Sequence, residues 1–443
     1  MKDLTQGNNL YKTFLVFALP IMLSGLLSQS YNIIDTAIIG KWLGDNGLAA
    51  VGGTASYITL ISSILWGFSA GSSVFIGILF GRKSFARLKS VLVTSTLLLT
   101  LLSLVIALAS LIFKNQLFDF MKIDGAVRED AFRYYLIYML GLTFVVLSNF
   151  GVTAMNALGA SGYPLKMSIL STFLNVGGNL LSVAVLHAGV TGVALATVIS
   201  AVIVDICYLF KLKSELSKTG VAKERVVFSK EDLKTVIGYS LPSSGQQLIL
   251  YGASFLVSPY INAFGKAVTA GYAVISRVLT LATSLYQNSS KTVTSFSSQC
   301  IGAKKYTLLK KGVHVGFVQA LIFLLPIVII TSVFSPQICS LFFEKGFDGE
   351  AMEVASDFVR YWMPLVTVNL INSLFHAFWR GIAKMKYLIG GTLVGSGTQV
   401  IATVLLSPVG LWGIWLAWSL SWAVEAVFNL LLYRISKWDK RLA

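Results

Sequence analysis

The stretch FALPIMLSGLLSQSYNIIDTAIIG, residues 17–40, decides the fold class. This apolar run is long enough to cross a bilayer as a helix, which takes about twenty residues. It nevertheless carries Pro20 near its start and Asp35 near its end. Pro20 removes one backbone hydrogen bond, so we expect the helix to bend there. A carboxylate inside a membrane helix costs roughly 3 kcal/mol, which indicates that Asp35 has a function.

Asp35 ends a polar stripe on this helix. Ser28, Asn32 and Asp35 follow each other at offsets of four and three, so they share one helix face. Such a stripe is typical of a helix that lines a wet cavity, because lipid would leave these groups unpaired. The alternative is that Asp35 lies at the headgroup level, since Lys41 and Asp45 follow soon after.

The composition indicates a membrane protein with several spans. Of 443 residues, 55% are apolar and 12% are charged, whereas a soluble protein has about 25% charged residues. The formal net charge of +16 would suggest nucleic acid as a partner in a soluble domain. Here the positive charges lie in alternate loops, as membrane topology requires, so we predict no nucleic-acid partner.

Apolar runs bounded by charge, Gly or Pro predict twelve transmembrane helices and an all-α membrane protein. The predicted spans run near 14–39, 48–80, 91–113, 132–150, 166–186, 189–210, 236–261, 267–295, 313–334, 354–377, 387–407 and 410–432.

Even-numbered spans are followed by basic loops, whereas the loops after the third and ninth spans are rich in acidic residues. Cytoplasmic loops carry an excess of Lys and Arg. We therefore predict a multi-pass protein of the bacterial plasma (inner) membrane with both termini in the cytoplasm. The basic loop residues are Arg82, Lys83, Arg87, Lys89, Lys304, Lys305, Lys310, Lys311, Arg380, Lys384 and Lys386.

The sequence pattern indicates that the second half of the chain is a duplicate of the first. A shift of about 221 residues superposes FALP at 17–20 on YSLP at 239–242, and FGRK on IGAK. It also pairs Gly44 with Gly265 and Gly189 with Gly410. Because each half holds an even number of spans, both copies have the same orientation, related by an axis along the membrane normal.

The long hydrophilic connection near the midpoint divides the halves. We predict an N-terminal six-helix lobe over residues 1–215, a cytoplasmic linker over 216–235 and a C-terminal six-helix lobe over 236–443. Two six-helix halves around a central cleft are typical of an alternating-access carrier.

Motifs for catalysis or ATP use are missing from the sequence. It contains no GxxxxGK[ST] phosphate-binding loop. The string GFSAG at 67–71 has the nucleophile-elbow spacing, but it lies inside an apolar span without a preceding strand, so helix packing explains it better. Three scattered cysteines indicate neither a disulfide framework nor a zinc site. We predict a protein that is not an enzyme and has no cofactor.

A second polar cluster lies in the fifth and sixth spans. Asn175 and Asn179 are one helical turn apart, and Thr197 follows in the next span. These side chains either hydrogen-bond helices to one another or, together with Asp35, bind a cation. A carboxylate, two amide oxygens and a hydroxyl are hard ligands for sodium, and the carboxylate is equally suited to take up a proton.

The ordered set of motifs resembles the multidrug and toxic compound extrusion (MATE) transporters, in the larger superfamily that includes lipid-linked oligosaccharide flippases. The set comprises NIIDTAIIGKWLG after ALP, the FGRK and QCIGAKK loops, LGASGYP at 158–164, GVTGVALATVIS and WRGIAKMKY at 379–387. The resemblance covers essentially the whole chain. It implies two six-helix lobes that form a V around a central cleft, driven by inward flow of sodium or protons.

The resemblance also implies a cation-coupling site in the first lobe. Asp35, Asn175 and Thr197 match that site, but Asn179 stands where the family usually has an acid. One carboxylate instead of two leaves a charge of −1, so the choice between proton and sodium stays open. No metal is expected other than sodium at Asp35.

Other polar residues at depth are candidates for the substrate cleft. They are Asn32, Gln246, Gln247, Arg277 and His376. For the remaining deep acids, Asp205 and Glu425, we expect ion pairs with Lys or Arg of the loops.

The predicted function is secondary antiport that exports organic cations or other amphipathic drugs in exchange for protons or sodium. The alternative is a flippase of lipid-linked oligosaccharide or a related lipid. The expected partners are small organic substrates and membrane lipids, and the expected oligomeric state is a monomer.

Overall fold

The computed structural model describes residues 1–7, 9–120, 123, 125–221, 225–343 and 349–439. This part of the chain forms fourteen α-helices and no strand, which confirms the all-α class. Nine of the described helices are long and apolar enough to cross a membrane. The helices are α1 (Leu10–Gly81), α2 (Phe85–Ile112), α3 (Lys114–Phe120), α4 (Arg128–Ala157), α5 (Gly162–Leu180), α6 (Gly189–Ser217), α7 (Lys230–Asn262), α8 (Lys266–Gly302), α9 (Thr307–Val333), α10 (Ser335–Ser340), α11 (Gly349–Tyr361), α12 (Val366–Gly381), α13 (Met385–Leu406) and α14 (Leu411–Ile435).

All twelve predicted spans fall on helices, with two differences in continuity. The first two spans are joined in α1, where Gly44 is the residue with non-helical dihedrals. The tenth predicted span, 354–377, is interrupted: α11 ends at Tyr361, a 3₁₀ turn runs over Met363–Leu365, and α12 follows. Pro364 lies in that turn, and proline has no N–H to continue a helical ladder.

The chain divides into two compact units. Unit 1 contains Met1–Asp3 and Leu23–Ser244, and unit 2 contains Leu4–Met22 and Gly245–Ala443. Helix α1 therefore begins in unit 2 and continues in unit 1 shortly after Pro20. The predicted lobes 1–215 and 236–443 stay a prediction. Residues 8, 121, 122 and 124 of the first lobe, 222–224 of the linker, and 344–348 and 440–443 of the second lobe lie outside the described residues.

Unit 1 is held together by glycines at helix crossings. A methyl group added at Gly67 or Gly71 would lie within 2.5 Å of the backbone of Ser243 or Ser240 on α7. On α4, Gly151 faces the ring of Tyr208 just as closely. The GFSAG string is thus a packing surface between α1 and α7, and a larger side chain there would push the helices apart.

Unit 2 uses the same principle together with large aromatic side chains. Gly312 on α9 lies against the ring of Phe296 on α8. At the break between α11 and α12, Trp362 packs with Trp412 and Trp415, at ring centroid distances of 4.6 and 5.0 Å. These contacts fill the space that the interrupted tenth span leaves.

The duplication is visible in the backbone. Gly44 and Gly265 both have a positive φ, at 62° and 97°, and so do Gly189 and Gly410, at 59° and 107°. Lys83 and Lys304 form a third such pair, at 59° and 57°. Each pair is separated by the 221-residue shift that the sequence motifs gave, so the chain changes direction in the same way in both copies.

Replacing Gly265 by Ala is expected to lower the unfolding temperature in detergent. The cost is conformational, about 1–3 kcal/mol, because Gly265 has φ 97° and ψ −178° and no atom lies within 4 Å of the added methyl. Gly238→Ala is the control, since Gly238 is helical and equally open. Equal unfolding temperatures for the two variants would contradict the argument.

Candidate cation site

Four side chains of unit 1 form one hydrogen-bonded chain. Asn175 on α5 donates from Nδ2 to Thr197 Oγ1 on α6, at 3.1 Å. Asn179, one turn later, donates from Nδ2 to Asn175 Oδ1 at 2.9 Å and also to Asp35 Oδ1 on α1. The structure thus brings together all four residues of the predicted cation site, and three helices contribute to it.

Asn179 lies at a local change of helix geometry. Helix α5 continues without a break into a π-helical turn over Leu181–Val185. The Ser182 hydroxyl donates to the backbone oxygen of Asn179 at 3.1 Å. Single π turns occur frequently at functional sites, and this one immediately follows the amide that contacts Asp35.

One oxygen of the site has no partner. Asn179 is fully buried, and its Oδ1 makes no hydrogen bond within the described part of the chain. A buried acceptor without a partner is costly. Because this oxygen belongs to the residue that donates to Asp35, it is available as a ligand for a cation bound at the carboxylate.

Asp35 has an amide neighbour, Asn179, and no cationic partner among the described residues. Its side chain is half-buried, and the described residues include no Lys, Arg or His within ion-pair distance of it. Buried carboxylates are normally paired or bound to a cation. The arrangement therefore holds a charge of −1 that a single proton, sodium ion or cationic ligand group can neutralise.

Tyrosines lie near the carboxylate, and two of them were not predicted from the sequence. The Tyr31 hydroxyl, on α1, interacts with Thr197 and with Asn175. Tyr134 and Tyr138 on α4 lie one turn apart, with ring centroids 6.3 Å from each other, and Tyr134 is within electrostatic range of Tyr31 and Asp35. Their spacing of four along α4 was the available signal.

Close approach of α5 and α6 aligns the two amides with Thr197. A methyl group added at Gly178 would lie 2.9 Å from Cβ of Ala196. Nearer the end of the pair, Gly192 on α6 faces Ser182 at a distance that admits no side chain. The small residues set the separation at which Asn175 reaches Thr197.

The residues predicted for the substrate cleft have different surroundings. Asn32 on α1 and Arg277 on α8 are exposed, and Gln247 on α7 is half-buried. Gln246 is buried and accepts a hydrogen bond from Arg380. Contact of any of them with substrate stays a prediction.

His376 is held by two neighbours within unit 2. Its Nε2 lies 2.6 Å from Glu425 Oε1 on α14 and 3.3 Å from Thr392 Oγ1 on α13. These contacts link α12 to the last two helices, and contact of His376 with substrate stays a prediction.

Two expectations for deep acids were wrong. Glu425 pairs with His376 and not with a loop cation. Asp205 accepts a hydrogen bond from Ser148 Oγ at 2.6 Å and forms no ion pair within the described residues. Both acids face neighbouring helices, where a loop side chain does not reach.

Arg380 was likewise assigned wrongly to a loop. It lies inside α12 and turns toward α7, where Nη2 donates to Gln246. Its position one residue before the end of the helix made it look like part of the basic loop that follows.

The comparisons identify the family. The family model MatE matches residues 20–181 and again 242–405, once in each half, which agrees with the duplication. The probable multidrug resistance protein YoeA of Bacillus subtilis is 28% identical over 92% of this chain and 85% of its own length. The multidrug export protein MepA of Staphylococcus haemolyticus is 23% identical over 99% of this chain and 96% of its own.

A solved structure has the same fold. An outward-facing multidrug resistance MATE transporter superposes with a TM-score of 0.90 over 100% of this chain and 99% of its own, at 23% identity. Because the family model covers most of the sequence, this chain belongs to the MATE family of membrane transporters. It is a multi-pass membrane protein with the twelve-helix architecture that the sequence predicted.

Replacing Gly178 by Val is expected to separate α5 from α6 and to destabilise the protein by about 1–3 kcal/mol, the usual cost of overpacking. Gly177→Val is a matched control on the same helix, because no atom lies within 4 Å of its added methyl. The measurement is the unfolding temperature of each variant in detergent. A larger loss for the Gly177 variant would show that this contact does not set the helix separation.

Proposed function

We propose that this chain is a secondary antiporter that exports organic cations and other amphipathic compounds in exchange for protons or sodium. The MATE family and the names of the relatives, which are multidrug resistance and multidrug export proteins, support the transport of varied organic compounds. The same considerations favour the plasma membrane as its location. We further propose a monomer with both termini in the cytoplasm.

The observation that carries the proposal is the unpaired carboxylate of unit 1. Asp35 accepts a hydrogen bond from Asn179 and lacks a cationic partner among the described residues. A membrane helix keeps such a group for a function, because its insertion is costly. One charge admits one cation at a time, and this exclusivity is the basis of exchange.

Both coupling ions fit the donor set. Sodium would take oxygens from Asp35, from the unpartnered Oδ1 of Asn179 and from hydroxyls such as that of Thr197. A proton would bind Asp35 directly and leave the amide chain to Asn175 intact. Nothing beyond the coupling ion is needed as a cofactor.

The transport cycle follows from competition at this site. Ionised Asp35 attracts the cationic group of a substrate, and uptake of a proton or sodium then neutralises the carboxylate. Neutralisation removes the attraction and the cost of the buried charge, so the substrate leaves. We propose that α1 bends at Pro20 during this step, because proline leaves a gap in the helical hydrogen bonds.

Asp35→Asn is expected to abolish gradient-driven transport without unfolding the protein. The variant is isosteric, keeps an acceptor for Asn179 and cannot ionise. Purified protein in vesicles would be tested with a fluorescent organic cation under a pH gradient or a sodium gradient, applied separately. Asp45→Asn is the matched control, since Asp45 is exposed on the same helix, next to Gly44.

The two gradients separate the coupling ions. Transport under one gradient, lost in Asp35→Asn and kept in Asp45→Asn, supports coupling through Asp35 and identifies the ion. Full gradient-driven transport by folded Asp35→Asn protein would refute the proposal.

Asn179→Asp restores the acid that the family usually has and is expected to strengthen cation binding. A carboxylate oxygen would replace the amide that now donates to Asp35, so the two oxygens would repel unless they share a cation. Transport should therefore persist to higher pH with protons, or to lower sodium concentration with sodium. An unchanged pH and sodium dependence would rule out a direct contribution of residue 179.

A further inference from the structure

Unit 2 contains two cationic side chains within its helices. Arg380 on α12 donates from Nη2 to the buried Gln246 on α7, while its Nε is buried and has no hydrogen-bond partner among the described residues. Lys291 on α8 donates from Nζ to Asn288 Oδ1 at 2.8 Å. The partners of both cations are neutral amides.

The two cations lie near each other. Helices α8 and α12 are joined by a hydrogen bond from Thr294 Oγ1 to Ala377 O, at 2.9 Å. Ser290 and Ser373 also contact each other, at 3.3 Å, so the two helices run in the same direction here. Lys291 lies three residues before Thr294 and Arg380 three residues after Ala377, which places the two cations about one turn to either side of this contact. Lys291 is exposed and Arg380 is half-buried, so a ligand can approach from the side of the ammonium group.

Within the described part of the chain, no acid forms an ion pair with Lys291 or Arg380. The sequence from Gly245 to Phe343 contains no Asp or Glu, and neither does α12. The described acid that approaches α12 most directly is Glu425, which is held by His376 at 2.6 Å. A charge of +2 thus stands among neutral groups, whereas charges inside a protein are normally paired.

We propose that Lys291 and Arg380 form a binding site for the oxyanion of an amphipathic ligand, a carboxylate or a phosphate group. The guanidinium supplies planar N–H donors that match such groups, and the ammonium adds a second charge. Lys291 lies inside α8, which is long and apolar enough to cross a membrane, so the hydrocarbon part of the ligand would lie at membrane depth. The site goes beyond the proposed function, because it involves neither Asp35 nor ion coupling and extends the ligands to anionic or zwitterionic compounds.

The test is direct binding in a neutral detergent without any gradient. Isothermal titration would compare octanoate with octyltrimethylammonium, which have the same chain length and opposite charge, with subtraction of the heats from protein-free micelles. We expect octanoate to bind and Lys291→Gln or Arg380→Gln to weaken binding about tenfold, as loss of a charge-assisted hydrogen bond does. Lys266→Gln, an exposed cation at the start of α8, is the control and should bind like the unmodified protein.

Additional variants and a displacement experiment test the same site independently. Lys291→Arg and Arg380→Lys preserve the charge and should retain most of the affinity. If the Gln variants do not fold, displacement of octanoate from the unmodified protein by inorganic phosphate, and not by choline, is the expected result. Asp35→Asn should bind octanoate normally, so failure of the coupling proposal would not affect this one.

Displacement experiments in nanodiscs distinguish a lipid headgroup from a soluble compound as the source of the oxyanion. Displacement of octanoate by phosphatidylglycerol, and not by phosphatidylcholine, would identify a lipid headgroup as the occupant. No displacement by either lipid would identify a solute. The proposal would be overturned if both Gln variants bound octanoate as tightly as the unmodified protein does. It would also be overturned if octyltrimethylammonium bound as tightly as octanoate.

Discussion

The structure depends on one constraint: a polar group inside an apolar helix must find its partner within the protein, because hydrocarbon offers none. Many serines and threonines of the described helices meet it by donating to a carbonyl three or four residues earlier, as Thr331 and Ser421 do. The amides of Asn175 and Asn179 meet it by bonding to each other and to neighbouring helices. Polar groups that lack such a partner are therefore candidates for binding sites.

The two candidate binding sites, one in each unit, have opposite charge. In unit 1 a single carboxylate, Asp35, is surrounded by amides and tyrosines; in unit 2 an ammonium and a guanidinium, Lys291 and Arg380, are held by amides. The sequence does not repeat Asp35 or Lys291 at the equivalent position of the other half. At the 221-residue shift, Leu256 stands where the first half has Asp35, and Ala70 stands where the second half has Lys291. The duplication has kept the backbone, down to the positive φ of Lys83 and Lys304, while the chemistry of the two copies has diverged.

Hydropathy and charge predicted most of the fold, because span length and loop charge are local properties of the sequence. The Asp35, Asn175, Asn179 and Thr197 cluster was also predictable, since helical spacing and the family resemblance both pointed to it. The partners of Asp205, Glu425 and Arg380 were not, because they depend on which helix faces which, and spacing within one helix carries no such information. The break at Pro364 was missed for a related reason: an apolar run looks continuous even where a proline and a tryptophan cluster interrupt the helix.

Gly44 joins the first two spans through a single residue with non-helical dihedrals, inside a segment that is otherwise helical from Leu10 to Gly81. A connection this short cannot absorb an inserted or deleted residue by changing its own conformation. Added or deleted residues there would rotate one whole span against its neighbours, by about 100° for each residue of a helix with 3.6 residues per turn. The evolutionary record of this protein should therefore contain length changes in its longer connections and almost none at this point, so that the position of Gly44 gives a fixed reference for aligning distant relatives.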